Sequence, residues 1–86
     1  MATIVFITGA SSGIGAACAR KFAKEGYTLI LNARSIDKLQ ALKTELEATY
    51  GTDIILLPFD VRDRKAAAKA INTLPENYQA IDILVN

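Results

Sequence analysis

Thr8-Gly9-Ala10-Ser11-Ser12-Gly13-Ile14-Gly15 is the stretch of this sequence with the most to say about chemistry. Its three glycines allow a tight turn, close approach of a ligand to the backbone, and close packing of a following helix on a preceding strand. A helix starting in such a loop presents unpaired N–H groups and the positive end of its dipole, so a pyrophosphate is the natural occupant. A glycine-rich turn without a ligand is the competing reading. Placement between an apolar strand and an amphipathic helix favours a dinucleotide. No Gly-Lys-Ser/Thr follows, so this is not the phosphate loop of an ATPase.

Two more polar residues fall at the ends of apolar runs. After Thr28-Leu29-Ile30-Leu31 comes Asn32-Ala33-Arg34, where a site for NAD usually carries an acid that accepts from the ribose 2′-hydroxyl. The first acid here is Asp37, inside the next helix. A carboxylate would repel a 2′-phosphate, whereas a guanidinium binds it through charge-assisted, often bidentate hydrogen bonds. Arg34 therefore points to NADP, with a solvated surface arginine as the alternative. Asp60 ends the third run, outside the carboxyl end of a strand, where ligands bind in open α/β sheets. It could instead cap the following helix, although Asp63 is available for that.

Composition removes other chemistries. There is no histidine, which excludes Ser-His-Asp and Cys-His catalysis and most zinc sites; no metal is expected. The single cysteine, Cys18, excludes an internal disulfide and fits a reducing compartment. Ten basic and nine acidic residues give a net charge of +1 and no electrostatic case for nucleic acid or an anionic membrane. No apolar run approaches the ~18–20 residues of a membrane span, and Met1-Ala2 leads straight into a strand without a signal-peptide core. A soluble, cytoplasmic protein with a small-molecule partner is expected.

The elements that must hold these residues alternate. Apolar runs at 3–7, 28–31, 53–57 and 81–85 read as strands, the third with Pro58 at its end. Between them, Ile14, Cys18 and Phe22, with Ala19 and Ala23 beside them, predict a first helix closed by Gly26. Ser35 is a plausible cap for a second, with Ile36, Leu39, Leu42 and Leu46 inward and Gly51 at its end. Asp63 can cap a third, built on Ala66, Ala67, Ala70, Ile71 and Leu74, with Pro75 beyond it. The succession βαβαβαβ within one domain of 86 residues predicts a Rossmann-like doubly wound parallel sheet of order 3-2-1-4. Two helices would cover one face and one the other, leaving the fourth strand as an open edge prone to self-association.

The loop pattern Thr8-Gly9-x-x-x-Gly13-x-Gly15 resembles the cofactor signature of the short-chain dehydrogenase/reductase family, and the resemblance runs from Met1 to Asn86. It implies that Gly9, Ser11, Ser12, Gly13, Ile14 and Gly15 line the phosphates and nicotinamide ribose. It also implies that Asp60 hydrogen-bonds the adenine amino group and that Val61 contacts the ring through its backbone. NADP-preferring members often carry arginine at the place of Arg34. Some add a basic residue just before the second glycine, where this sequence has Ser12, so Arg34 would act largely alone.

Ile83-Leu84-Val85-Asn86 looks like the start of the family's L-V-N-N-A-G segment, and the resemblance implies that Asn86 is cofactor-binding as well. The family's catalytic Ser, Tyr and Lys lie downstream of that segment. Tyr27, Tyr50 and Tyr78 have no lysine four residues on, so no catalytic residue is assigned here. The resemblance thus implies residues 1–86 are the N-terminal, dinucleotide-binding part of a longer NADP-dependent oxidoreductase acting on an alcohol or ketone, incomplete relative to the family fold. The segments around Asp60 and from Leu74 to Asn86 are similar to the NADP-dependent 3-hydroxy acid dehydrogenases, which oxidise serine and L-allo-threonine. A free-standing nucleotide-binding or interaction module without catalysis is the alternative.

Overall fold

The computed structural model describes residues 3–60, 62–74 and 81–85. Four strands, β1 (Ile4–Ile7), β2 (Thr28–Ala33), β3 (Ile54–Pro58) and β4 (Ile83–Val85), alternate with three helices, α1 (Gly13–Lys24), α2 (Ile36–Tyr50) and α3 (Arg64–Asn72). All pairings are parallel and the order is β3-β2-β1-β4. The first two crossovers step in one direction and the third returns past β1. The direction of winding therefore reverses at β1, and a crevice opens there at the carboxyl ends of the strands.

Every residue of β1 and β2 is buried, which explains why their runs show no polar alternation. Val5, Ile7, Leu29 and Leu31 face α1 and α2, where Ala19, Ala23, Leu39, Leu42 and Leu46 complete the larger core. The alternate residues Ile4, Phe6 and Ile30 face the other way, with Leu57, Leu74 and the half-buried Ala70. At one end of β4, the Ile4 N–H donates to the Asp82 carboxylate at 2.9 Å and the Asp82 N–H to the Ile4 carbonyl at 2.9 Å. At the other, the Thr8 N–H donates to the Val85 carbonyl at 2.9 Å.

The structure corrects the helix faces. In α1 the buried stripe is Gly15, Ala19 and Ala23, one position on from the expected Ile14, Cys18 and Phe22. Cys18 and Phe22 pack half-buried at its flank, and Ile14 is 82% exposed. The helix approaches the sheet too closely for large side chains, so the small residues take the contact. Ile36 is also exposed, because the buried stripe of α2 starts at Leu39. No residue of α3 itself is buried; Leu74, just past its end, carries the packing on that face. The strands differ at their ends: β2 runs on through Asn32 and Ala33, and β4 begins only at Ile83. Pro75 and Tyr78 lie outside the described residues. Among those described, no helix is long and apolar enough to cross a membrane.

Candidate functional site

The chain leaves β1 through Thr8 and turns at Gly9, whose φ of 61° lies in the left-handed region that favours glycine. The Ser12 N–H and hydroxyl both donate to the Gly9 carbonyl, at 3.1 and 2.8 Å. The same hydroxyl oxygen accepts from the Gly15 N–H at 3.4 Å and caps α1, so Ser12 builds the loop as well as lining it. The buried Ala10 donates its N–H to the Asn32 carbonyl at 2.8 Å, stitching the loop to β2.

The glycines answer different demands. A Cβ on Gly15 would overlap the Gly9 carbonyl oxygen, so this position is glycine for packing. A Cβ on Gly13 would meet nothing within 4 Å, and its backbone is not left-handed. Neither the fold nor a neighbouring side chain requires glycine there. An open cradle beside the first turn of α1, which carries no acidic residue, suits the approach of a pyrophosphate.

At the ends of β2 and β3 a buried amide sets the geometry. Asn32 is 1% exposed, and its Nδ2 donates to the Leu57 and Phe59 carbonyls at 2.9 and 3.0 Å. It thereby extends β2 and fixes the turn that carries Asp60, while Arg34 emerges exposed one residue beyond the strand. The Asp60 carboxylate accepts from the Arg62 N–H at 2.9 Å and from the Arg62 guanidinium at 2.9 and 3.2 Å. Those hydrogen bonds, with a smaller contribution from the charge of Arg34, hold its pKa down at about 2. Asp63, whose carboxylate accepts from the Ala66 N–H at 3.1 Å, caps α3 and relieves Asp60 of that task.

Gly9, Ser11, Ser12, Arg34 and Asp60 share one depression of about 350 Å³, together with Asn32, Ala33, Phe59 and Arg62. Ile14 and Gly15 line a second, of about 360 Å³, with Thr8, Cys18 and Val85 at the end of β4. The glycine loop is thus a ridge between two hollows on either side of β1, the division a dinucleotide needs when its two halves straddle a topological switch point. Val61 and Asn86 lie outside the described residues. Asn32 and Arg62 were not singled out from the sequence. The signals were present: one amide inside an apolar run, and an arginine two residues from the acid it holds.

The parallel sheet, the helices on both faces and the glycine loop at the switch point define a Rossmann-like α/β unit. Residues 3–86 match the family model described as short chain dehydrogenase, and the chain belongs to that family. It is 44% identical over 87 residues to a serine 3-dehydrogenase of Agrobacterium fabrum, covering 100% of this chain and 33% of that protein. It is 43% identical over 86 residues to a sulfoacetaldehyde reductase of Chromohalobacter salexigens, again covering 100% and 33%. Among solved structures, L-sorbose reductase from Gluconobacter frateurii complexed with NADPH and L-sorbose superposes with a TM-score of 0.91 at 34% identity, covering 99% of this chain and 32% of that one. The chain spans about a third of the length of each of these proteins.

Proposed function

We propose that this chain is the NADP(H)-binding part of a longer oxidoreductase that transfers a hydride between NADP and an alcohol or ketone. The observation that carries the reading is the meeting of the glycine loop, Arg34 and Asp60 around one depression. On this reading the Gly9–Gly15 loop and the first turn of α1 hold the pyrophosphate, and Arg34 receives the 2′-phosphate. Asp60 serves the adenine and Ile14 the nicotinamide ribose, and Val61 and Asn86 complete the cofactor-binding set. Both Asp60 oxygens already accept from Arg62, so an adenine amino group would share an acceptor with it. When bound, the cofactor supplies or accepts hydride at nicotinamide C4. The proton-transferring Ser, Tyr and Lys of the family belong to sequence outside this chain.

The substrate class we propose is a 3-hydroxy acid such as serine or L-allo-threonine. Support comes from the likeness to a serine 3-dehydrogenase and from the segments around Asp60 and β4. A lone free thiol, Cys18, suits the reducing cytoplasm.

A charged hydrogen bond contributes roughly 1.5–3 kcal/mol, so Arg34 should favour NADP over NAD by about ten- to a hundredfold. Solvent screening at this exposed position pulls toward the lower figure. The test is titration of NADP and NAD into the full-length protein and into the Ala33→Asp, Arg34→Gln double variant. The new carboxylate accepts from a 2′-hydroxyl and repels a phosphate, so the preference should invert. Equal affinity of the wild type for both cofactors, or a double variant that still prefers NADP, overturns the reading.

A further inference from the structure

Beside the depression that carries Asp60 lies another, of about 430 Å³, lined by Ser11, Arg34, Ser35 and Lys38. Two cations and two hydroxyls face it, and no carboxylate does. Ser35 occupies the position before α2 but makes no side-chain cap hydrogen bond. Lys38 stands three residues further on, which places it on the same side of the helix start as Ser35. The lining is the donor set an oxyanion would select.

Two of the nearby acids are engaged elsewhere, and Asp37, in the first turn of α2, does not line this depression. Glu45, on the groove that continues from Lys38, accepts from Arg20 Nε at 2.7 Å and from Nη2 at 3.2 Å. Asp60, whose carboxylate feels the charge of Arg34, is held by Arg62. Among the described residues, neither Arg34 nor Lys38 forms a salt bridge. Two fixed guanidinium–carboxylate pairs therefore bracket two cations that share one depression.

We propose that Lys38 is the second cation of the 2′-phosphate site, acting with Arg34 and the Ser11 and Ser35 hydroxyls. The assignment rests on the NADP reading above. It supplies from α2 the second positive charge that Ser12 does not provide in the glycine loop. The division of labour follows from the groups: Arg34 offers a planar, bidentate fork at the end of β2, and Lys38 a mobile point charge from the helix.

The test compares wild type, Lys38→Gln, Lys38→Arg and Arg34→Gln in the full-length protein. Dissociation constants are measured for NADP, NAD, adenosine 2′,5′-bisphosphate and AMP. Lys38→Gln should weaken NADP and the bisphosphate by about three- to tenfold, while NAD and AMP stay within about twofold. Lys38→Arg should keep most of the discrimination, and added salt should shrink the difference between wild type and Lys38→Gln. If Lys38→Gln leaves the NADP-to-NAD ratio unchanged while Arg34→Gln abolishes it, the role of Lys38 is overturned and the cofactor reading stands. If wild type shows no preference for the 2′-phosphate at all, the cofactor reading itself fails.

Discussion

Gly15 of α1 sits directly against the Gly9 carbonyl oxygen, with no room for a Cβ between them. The contact sets how near α1 approaches the sheet, and with it the position of the loop. Gly15→Ala forces backbone to move, so it should cost about 1–3 kcal/mol in urea unfolding. Gly13→Ala meets nothing and should leave stability within about 1 kcal/mol of wild type, or raise it. It should nonetheless weaken NADP by roughly tenfold or more, because the methyl fills the cradle. Undiminished cofactor binding by Gly13→Ala would remove the loop as the pyrophosphate site.

Asn32 joins β2 to the turn after β3 by two donated hydrogen bonds from a buried amide. Asn32→Ala leaves the Leu57 and Phe59 carbonyls short of a donor and should cost about 1–3 kcal/mol. Asn32→Asp should cost more, since it turns a carboxylate oxygen toward two carbonyls. Urea midpoints of the two variants check the order. Equal stability of wild type and Asn32→Asp would mean the amide does not hold that turn.

The element order and strand order were legible because an unbroken apolar run between turn signals has few solutions. Runs such as Ile4–Ile7 must be buried on both faces, and helical crossovers between them force parallel pairing. The α1 face was not legible. Large residues at 14, 18 and 22 outweigh small ones at 15, 19 and 23 in any hydrophobicity pattern, and only the close approach at Gly15 reverses the choice. The glycine loop, Arg34 and Asp60 stand at strand ends and could be read from position. The grouping of Lys38 with Arg34, and the neutralisation of Asp60 by Arg62, depend on how side chains meet in three dimensions.

Asp60 also predicts a pH response. Its folded-state pKa of about 2 lies below the ordinary 3.8, so ionised Asp60 favours the folded form above the ordinary value. That contribution fades as pH falls through the interval toward about 2. Arg62→Gln removes the largest cause and should return the midpoint toward 3.8. Carbon-13 carboxyl shifts followed through an acid titration read both midpoints directly. An Asp60 that titrates at the ordinary value in the wild type would show that the Arg62 fork does not persist in solution.

Among the described residues β4 pairs only with β1, and its Leu84 is 62% exposed, with Ile83 and Val85 half-buried. The opposite edge is β3, which ends in Pro58, a residue with no N–H to donate. An apolar edge strand with free backbone groups is a template for pairing, and α3 buries none of its own residues on the adjoining face. The 86-residue polypeptide on its own should therefore self-associate, with an unfolding midpoint that rises with concentration. Leu84→Lys places a charge on the edge and should shift the population toward monomer without disturbing the core. Sedimentation velocity at two concentrations, for wild type and Leu84→Lys, separates the possibilities. A monodisperse wild-type monomer whose melting is independent of concentration would show that this edge does not pair.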